Sequence, residues 1–277
     1  MVSSRKALCV GINQYKNYPG SALQGCVNDT NDMEGILKQY LGFSSSDIVK
    51  LTDAQATKEN VMGQLTAMVN EAKAGKYSYL VFSLSGHGTQ VPDASGDEPD
   101  RVDEAFCPYD LAQKGSQWDP DHVINDDELH DLFVQLPKKV LLEVFLDTCH
   151  SGTGLKAVDL LLDRKPKYMP PPSLDGFKEL QSKSIWQTLY SLLVGKRITH
   201  HILWAACRAD QTSADAYIAG AWHGAFTYYF CKELRASNNS LSRKALLQKV
   251  NADLQANDFT QRAQLESQAT VRGRVFG

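Results

Sequence analysis

Two short polar segments of this sequence carry the side chains best suited to chemistry. His87 lies in the segment Ser85–Gly88, and Cys149 lies in the segment Asp147–Gly152. Each segment follows an apolar run typical of a buried strand, residues 79–83 and 140–146 respectively. Open α/β sheets carry their reactive groups at the carboxyl edge of the strands, where these two side chains would meet. Because an imidazole converts a neighbouring thiol into a thiolate nucleophile at neutral pH, the pair predicts a cysteine hydrolase.

Backbone groups at the two strand tips would complete such a site. The N–H groups of Gly88 and Cys149 are placed to face a developing oxyanion, and a glycine after the histidine lets a substrate carbonyl approach closely. His150 is the poorer base, because neighbouring residues that leave a strand point in opposite directions. A lone cysteine or a lone histidine is more often structural. Two glycine-flanked strand tips together favour catalysis by His87 and Cys149.

The surrounding pattern alternates strands with helices. Apolar runs predict strands at residues 6–12, 48–51, 79–83, 140–146 and 200–207. Helical spacing predicts a helix that is capped by Asn28 or Asp29 and ends at Gly42, and further helices at 57–75, 126–136, 224–235 and after Ser242. The closing segment, residues 269–276, predicts an edge strand. This order predicts an α/β fold, a three-layer α/β/α sandwich around a mostly parallel sheet of about six strands.

Proline and basic residues interrupt the alternation in the middle of the chain. We therefore expect three parts: residues 1–152 carry the histidine and the cysteine, 153–198 form a basic linker, and 199–277 complete the same sheet. The linker contains a predicted helix at about 184–194. A stretch of this length and composition inside a compact domain is more often a functional or mobile loop than core.

Composition excludes several classes of protein. A net charge of −3 indicates neither nucleic-acid nor anionic-membrane binding. The sequence shows no leader segment and no apolar run long enough to cross a bilayer, so we expect a cytoplasmic protein. The six cysteines have neither disulfide-framework nor zinc-site spacing, and Cys9, Cys207 and Cys231 lie in apolar runs typical of structural thiols.

The two strand-tip motifs resemble the catalytic dyad motifs of metacaspases, including the prokaryotic members often called orthocaspases. The resemblance extends to the early acidic motif at 25–29, to 205–214, which is similar to the start of the family's small-subunit region, and to the helix that begins at 224–227. It implies a caspase-like fold, with residues 1–152 similar to a large subunit and 199–277 similar to a small one. It also implies an S1 pocket lined by Cys26, Asp29, Ser85 and Asp147.

The acidic residues near the dyad bear on specificity. A pocket that holds both Asp29 and Asp147 would attract an Arg or Lys side chain at P1, the residue before the cleaved bond. We therefore expect little cleavage after Asp. Other interpretations stay open: Asp29 would serve as a helix N-cap, and Asp147 would simply be a polar residue that ends a strand.

A basic linker beside an acidic pocket predicts cleavage of the chain by itself, as the resemblance also implies. The candidate processing positions are basic linker residues: Arg164, Lys165, Lys167, Lys178, Lys183, Lys196 and Arg197. The alternative is an ordinary solvated loop.

A stretch from Asp93 to Asp131, interpreted as a long polar loop that leads into a helix, is rich in carboxylates of the kind that bind Ca²⁺. By resemblance to calcium-activated metacaspases, Asp103, Asp126 and Asp127 would hold the ion. Lys156 stands at a further ligand position and opposes calcium, and a solvated acidic loop, with Asp126 capping a helix, is the alternative. No organic cofactor is required.

The sequence thus predicts a cysteine endopeptidase of the metacaspase type, a zymogen whose substrates are proteins or peptides with a basic P1 residue. Arg272 and Arg274 on the predicted last strand would discourage edge pairing, so we expect a monomer. The rival hypothesis is a catalytically silent caspase-fold module that binds partners or serves as a scaffold.

Overall fold

The structure is a computed structural model that describes residues 4–92, 102–149, 164–173, 201–208 and 211–277, with the side chains of residues 102 and 103 left undescribed. The predicted helix at 184–194 therefore lies outside the described residues. None of the helices in the described part combines the length and the apolar composition needed to span a bilayer.

A six-stranded sheet forms the centre of the molecule. Its strands in chain order are β1 (Arg5–Gly11), β2 (Ile48–Thr52), β3 (Tyr79–Ser85), β9 (Leu141–Asp147), β11 (His201–Ala205) and β14 (Gln264–Glu266). Their spatial order is β14-β11-β9-β3-β1-β2. All neighbouring pairs are parallel except β11 with β14, which is antiparallel. The predicted sheet of about six mostly parallel strands is confirmed.

Helices cover both faces of this sheet. They are α1 (Cys26–Tyr40), α2 (Lys58–Lys73), α3 (Asp126–Phe133), α4 (Ala225–Ala236), α5 (Arg243–Ala256) and the short α6 (Ala269–Arg272). Apolar side chains of α2 and α3 pack with one face of the central strands, and those of α1, α4 and α5 pack with the other. Successive residues of β1 alternate between the two cores, as strand geometry requires: Leu8 belongs to the first and Cys9 to the second. The layers are those of an α/β/α sandwich.

The stretch predicted as a long polar loop contains short strands, so that prediction is wrong in part. β4 (Gly88–Pro92), β5 (Val102–Phe106) and β8 (Ile124–Asn125) form a small sheet, and β6 (Gln113–Lys114) pairs with β7 (Gln117–Trp118). Apolar residues scattered among the carboxylates, such as Phe106 and Ile124, are buried in the core beside α2 and α3. The many charged residues of this stretch favoured the prediction of a loop, although its few apolar residues are buried.

A third small sheet involves the linker. β10 (Lys165–Pro166) pairs antiparallel with β12 (Ala214–Ile218), which pairs with β13 (Ala221–Gly224). A piece of the linker is therefore ordered against the last third of the chain.

The predicted closing edge strand is wrong. Residues 269–272 form α6, and the edge of the sheet is β14. The apolar residue Phe276 is buried because its ring packs against Phe145 and Phe230, and it does so without joining a strand. The apolar pattern of this segment thus reflects packing of the Phe276 ring in the core and not pairing with a neighbouring strand.

Helix ends agree with the sequence in most places. The Thr57 hydroxyl caps α2 and the Ser242 hydroxyl caps α5, as predicted. The cap predicted for α1 is wrong: the helix begins earlier, after Gly25, and Asp29 lies within its first turns. At α3 the capping side chain is that of Asn125, and Asp126 is the first helical residue.

Candidate active site

Strand register brings the two strand tips together. In the parallel pair β3 and β9, Ser85 is opposite Asp147, and the Gly86 N–H points to the Asp147 carbonyl at 3.4 Å. His87 and Cys149 each lie two residues beyond these paired positions. Both therefore leave the same edge of the sheet, at its carboxyl end.

Cys149 is fully buried. Its sulfur accepts a hydrogen bond from the backbone N–H of Ser213 and lies 3.3 Å from the sulfur of Cys207. The hydrogen bond with Cys149, together with burial, raises the pKa of the Cys207 thiol well above its usual range. Cys207 is thus a neighbour of the candidate nucleophile, and not only a core thiol as its apolar surroundings suggested.

His87 is held from two sides. Its backbone N–H donates to the Tyr15 hydroxyl at 2.8 Å, and its Nε2 lies 2.7 Å from the Ser21 carbonyl. The carbonyl can only accept, so this contact places the proton on Nε2 and leaves the Nδ1 lone pair free. Nδ1 is buried and has no hydrogen-bond partner among the described residues. Burial, with a smaller contribution from the Lys167 charge, lowers the His87 pKa to about 4 against the opposing effect of the Ser21 carbonyl. The ring is therefore neutral at neutral pH and able to accept a proton.

A lysine of the linker fills the predicted S1 pocket. Lys167 is completely buried, and its Nζ donates to the Ser85 hydroxyl at 2.8 Å. The same Nζ lies 3.2 Å from an Asp29 carboxylate oxygen and 3.1 Å from an Asp147 carboxylate oxygen. A pocket with two carboxylates and one hydroxyl around a cation matches the chemistry expected for a basic P1 side chain.

The backbone of Lys167 occupies the rest of the site. Its carbonyl oxygen accepts from the Gly88 N–H at 3.0 Å and from the Cys149 N–H at 3.1 Å. Its own N–H donates to the Ser213 carbonyl at 3.0 Å. The two amides predicted to stabilise an oxyanion therefore converge on one peptide carbonyl, with the candidate nucleophile attached to one of them.

Other side chains hold the two carboxylates in place. Asp29 accepts from the Ser85 hydroxyl at 2.6 Å and from the Gly224 N–H at 2.9 Å. Asp147 accepts from the hydroxyls of Ser213 and Thr227, both at 2.7 Å. A Cβ at Gly224 would overlap the Lys167 ammonium and both carboxylates, so only glycine leaves room for a cation there.

Charges in the pocket are mutually dependent. Burial alone would lower the pKa of Lys167, but attraction by Asp147, Cys26, Asp29 and Asp215 raises it well above its usual range. Burial raises the pKa of Asp29 to about 7, and the Lys167 ammonium opposes this rise. The pocket therefore favours an occupant that carries a positive charge.

All four predicted S1 residues surround Lys167. Cys26 begins α1 and is fully buried, and burial raises its thiol pKa well above the usual range, against the lowering effects of Lys167 and Ser85. The interpretation of Asp29 as a helix cap is wrong, since its carboxylate points to Ser85 and Gly224. The catalytic and binding roles of these residues stay predictions.

Sequence reasoning missed several residues of the site. Asp215 is buried and accepts from the backbone N–H groups of Gln24 and Gly25, which fixes the start of α1 beside the pocket. Ser213 and Thr227 fell within the motifs at 205–214 and 224–227, but nothing local marked them as carboxylate ligands. Only the return of the last third of the chain to the sheet edge brings them there.

The basic residues of the linker differ in their exposure to solvent. Lys165 is exposed, with its Nζ 3.2 Å from the Ala22 carbonyl, whereas Arg164 is nearly buried. The processing candidates Lys178, Lys183, Lys196 and Arg197, and the opposing Lys156, lie outside the described residues.

Two of the three residues predicted to bind calcium lie at the start of one helix. Asp126 and Asp127 lie in the first turn of α3, and the side chain of Asp103 lies outside the described residues. Within the described ranges, no group of three or more His, Cys, Asp or Glu side chains has a geometry that could hold a metal ion.

Known proteins resemble this chain in sequence and in fold. Residues 5–158 match the family model of the metacaspase peptidase C14 domain. Metacaspase-1A of Aspergillus niger is 33% identical over 293 aligned positions that cover 94% of this chain and 69% of that protein. Metacaspase-1 of Botryotinia fuckeliana is 32% identical, with 94% of this chain and 67% of that protein covered. The chain spans about two thirds of the length of these relatives.

Solved structures share the fold. Caspase-1 of Spodoptera frugiperda superposes with a TM-score of 0.60 at 14% identity, covering 96% of this chain and 87% of that chain. A protein from Geobacter sulfurreducens superposes with a TM-score of 0.65 at 23% identity, covering 98% and 97%. The caspase-like sandwich is thereby confirmed, and this chain belongs to the metacaspases, the cysteine peptidases of the C14 family.

Proposed function

We propose that this peptidase cleaves polypeptides after Lys or Arg with a Cys149–His87 dyad, and that it cleaves its own linker after Lys167. One observation carries the proposal: Lys167 has its side chain between Asp29 and Asp147 while its carbonyl accepts from the Gly88 and Cys149 amides. A substrate P1 residue must satisfy both conditions at once. The bond that follows, Lys167–Tyr168, is the proposed scissile bond.

The groups present suffice for acyl transfer through a thioester. His87 Nδ1 takes the Cys149 thiol proton, and the thiolate attacks the Lys167 carbonyl carbon. The Gly88 and Cys149 amides stabilise the oxyanion. The C–N bond breaks as the imidazolium donates its proton to the Tyr168 amine. Water, deprotonated by His87, then hydrolyses the thioester and restores the thiol.

The segment after the scissile bond also supports this arrangement. Tyr168 forms a parallel bridge with Gly88, and the Met169 N–H donates to the Gly88 carbonyl at 2.9 Å. Backbone pairing therefore continues on both sides of the bond, which is how proteases commonly hold an extended substrate.

Intact mass and N-terminal sequencing test self-cleavage. We expect the purified chain to yield a fragment that begins at Tyr168, and Cys149→Ala to remain intact. Lys167→Met should lose this cut because an apolar side chain leaves both pocket carboxylates unpaired. Lys165→Met, which changes an exposed lysine two positions earlier, is the matched control and should retain the cut. If the Lys167→Met chain still released a fragment that begins at Tyr168, the assignment would be contradicted.

Fluorogenic peptides test the wider activity. Peptides with Lys or Arg at P1 should be hydrolysed and those with Asp should not, and Cys149→Ala should be inactive. Parallel reactions with Ca²⁺ and with a chelator test whether this hydrolysis depends on calcium. Failure to cut any basic-P1 peptide after the linker is opened would favour the alternative of a silent binding module.

A further inference from the structure

A second linker side chain is recognised as specifically as Lys167. Arg164 lies three residues before Lys167 and is only 9% exposed. Its guanidinium donates to the carbonyl of Asp258 at 2.6 Å and to the carbonyl of Asn257 at 2.8 Å. The same group lies 3.8 Å from the centre of the Phe259 ring. With these described residues alone, the side chain makes two directed hydrogen bonds and one cation–π contact.

The acceptor carbonyls follow directly from how helix α5 ends. Asn257 is the C-cap of α5 and Asp258 follows it, so both carbonyls lie next to the negative end of the helix dipole. The last turn of α5 contains no basic residue of its own, and Asp258 adopts a left-handed conformation with φ of 58°. The Phe259 N–H then turns back to the Leu254 carbonyl at 2.9 Å. The helix end therefore presents carbonyls to a cation supplied by another part of the chain.

Strand pairing sets the distance between the two basic side chains. Lys165 and Pro166 form β10 and pair with Asp215 and Ala214 of β12. An extended chain advances about 3.3 Å per residue, so P4 lies about 10 Å from P1 along the cleft. Lys165, at P3, is exposed. The cleft thus encloses the first and the fourth residue of the segment Arg164–Lys167.

We propose that the end of α5, with the Asn257 and Asp258 carbonyls and the Phe259 ring, is an S4 subsite that selects arginine, so that the preferred substrates carry Arg three residues before the cleaved Lys or Arg. The proposal rests on the proposed function, since it takes the Lys167–Tyr168 bond as the scissile one. Arginine fits better than lysine because its planar fork reaches two carbonyls and stacks on a ring simultaneously.

Peptide hydrolysis by the self-cleaved enzyme tests this subsite. The parent substrate is acetyl-Arg-Lys-Pro-Lys linked to aminomethylcoumarin, and the variants carry citrulline, Lys or Ala at P4. Citrulline keeps the shape of Arg and removes its charge. We expect kcat/KM to fall about tenfold with citrulline or Ala and less with Lys, because charge-assisted hydrogen bonds and a cation–π contact are lost. Replacing the P3 Lys by Ala is the control and should change kcat/KM by less than about threefold, as expected for an exposed charge.

An enzyme variant assigns the effect to the subsite. Phe259→Leu keeps apolar volume against the Tyr229 ring but removes the cation–π contact. It should lower kcat/KM for the P4 Arg peptide and leave the P4 Ala peptide nearly unchanged. Equal turnover of P4 Arg and P4 Ala peptides, within about twofold, would overturn the S4 proposal while leaving basic-P1 cleavage intact. Absence of all basic-P1 cleavage would overturn the proposed function and this proposal with it.

Discussion

Asp147 shows how one carboxylate is prepared for a cation. Three donors from Ser213 and Thr227 hold it, and a fourth contact is the Lys167 ammonium. The protein donors fix its position, while Asp29 supplies a second carboxyl group on the other side of the ammonium. Such a site is costly when empty and favourable when a cation enters, because buried charges need partners.

Replacing Asp147 by Asn should lower kcat/KM for basic-P1 peptides about a hundredfold, since one partner of a buried charge pair is lost. Asp32→Asn is the matched control. That carboxylate lies one turn beyond Asp29 on α1 but pairs with Arg235 and His223, so hydrolysis should stay near the parental rate. Equal losses in both variants would indicate a general effect on the fold and argue against a P1 pocket at Asp147.

Strand β9 joins the reactive edge to the core. Its tip carries Asp147, and its middle carries Glu143, which is fully buried. Glu143 accepts from the Arg243 guanidinium through both oxygens at 2.8 Å, and from the Tyr79 hydroxyl and the Trp204 indole at 2.9 Å. The ion pair thus connects three neighbouring strands to the first residue of α5.

Replacing Arg243 by Met should lower the free energy of unfolding by about 3–5 kcal/mol, because it removes one partner of a buried ion pair. Urea unfolding followed by fluorescence measures the change. Lys244→Met, which alters the next and exposed residue, is the control and should stay within about 0.5 kcal/mol of the parent. A small loss in Arg243→Met would mean that the ion pair between Arg243 and Glu143 contributes little to the stability of the fold.

At the scale of the whole molecule, the linker covers the candidate active site. We propose that this same site cleaves the linker. Cys149 is 0% and His87 4% exposed, so a second polypeptide reaches them only after residues around Lys167 move away. First-order self-cleavage, independent of protein concentration, is the behaviour expected of such an arrangement. Burial of His87 also makes the stability of the linker-bound form depend on pH.

The sign of this sensitivity follows from His87. Burial lowers its pKa to about 4 in the folded chain, against the 6.5 of an unperturbed imidazole. The unfolded chain therefore binds more protons than the folded chain between these pH values. The contribution of His87 to the free energy of unfolding is fully present above about pH 6.5 and is lost as the pH falls toward 4. The raised pKa of Asp29 acts in the opposite direction over much of the same range.

Because the two groups oppose each other, the prediction concerns a difference between variants. In the intact Cys149→Ala background, His87→Gln should remove a loss of about 2 kcal/mol in unfolding free energy between about pH 7 and pH 5. Urea titrations at the two pH values measure it, and His122→Gln, a surface histidine, is the control. An unchanged pH dependence in His87→Gln would mean that the ring is already solvated in the linker-bound form.

Much of the fold was readable from local pattern. Short continuous apolar runs located the five parallel strands, and Thr57 and Ser242 marked helix starts, because strand and cap preferences act over a few residues. The terminal helix and the small strands of the acidic stretch were missed, since burial of Phe276 and Phe106 depends on partners distant in sequence.

The same division applies to the site. The sequence by itself determined which two strand tips carry the candidate dyad and which acidic residues accompany them, because parallel register delivers such tips to one edge. Only the tertiary structure selected Lys167 among the basic linker residues, brought Cys207 against Cys149, and placed Arg164 on the end of α5. Arg164 and Asp258, for example, are 94 positions apart in the chain. Local propensity cannot specify contacts of this kind, since they form only when the packed sheet and helices fix the path of the chain.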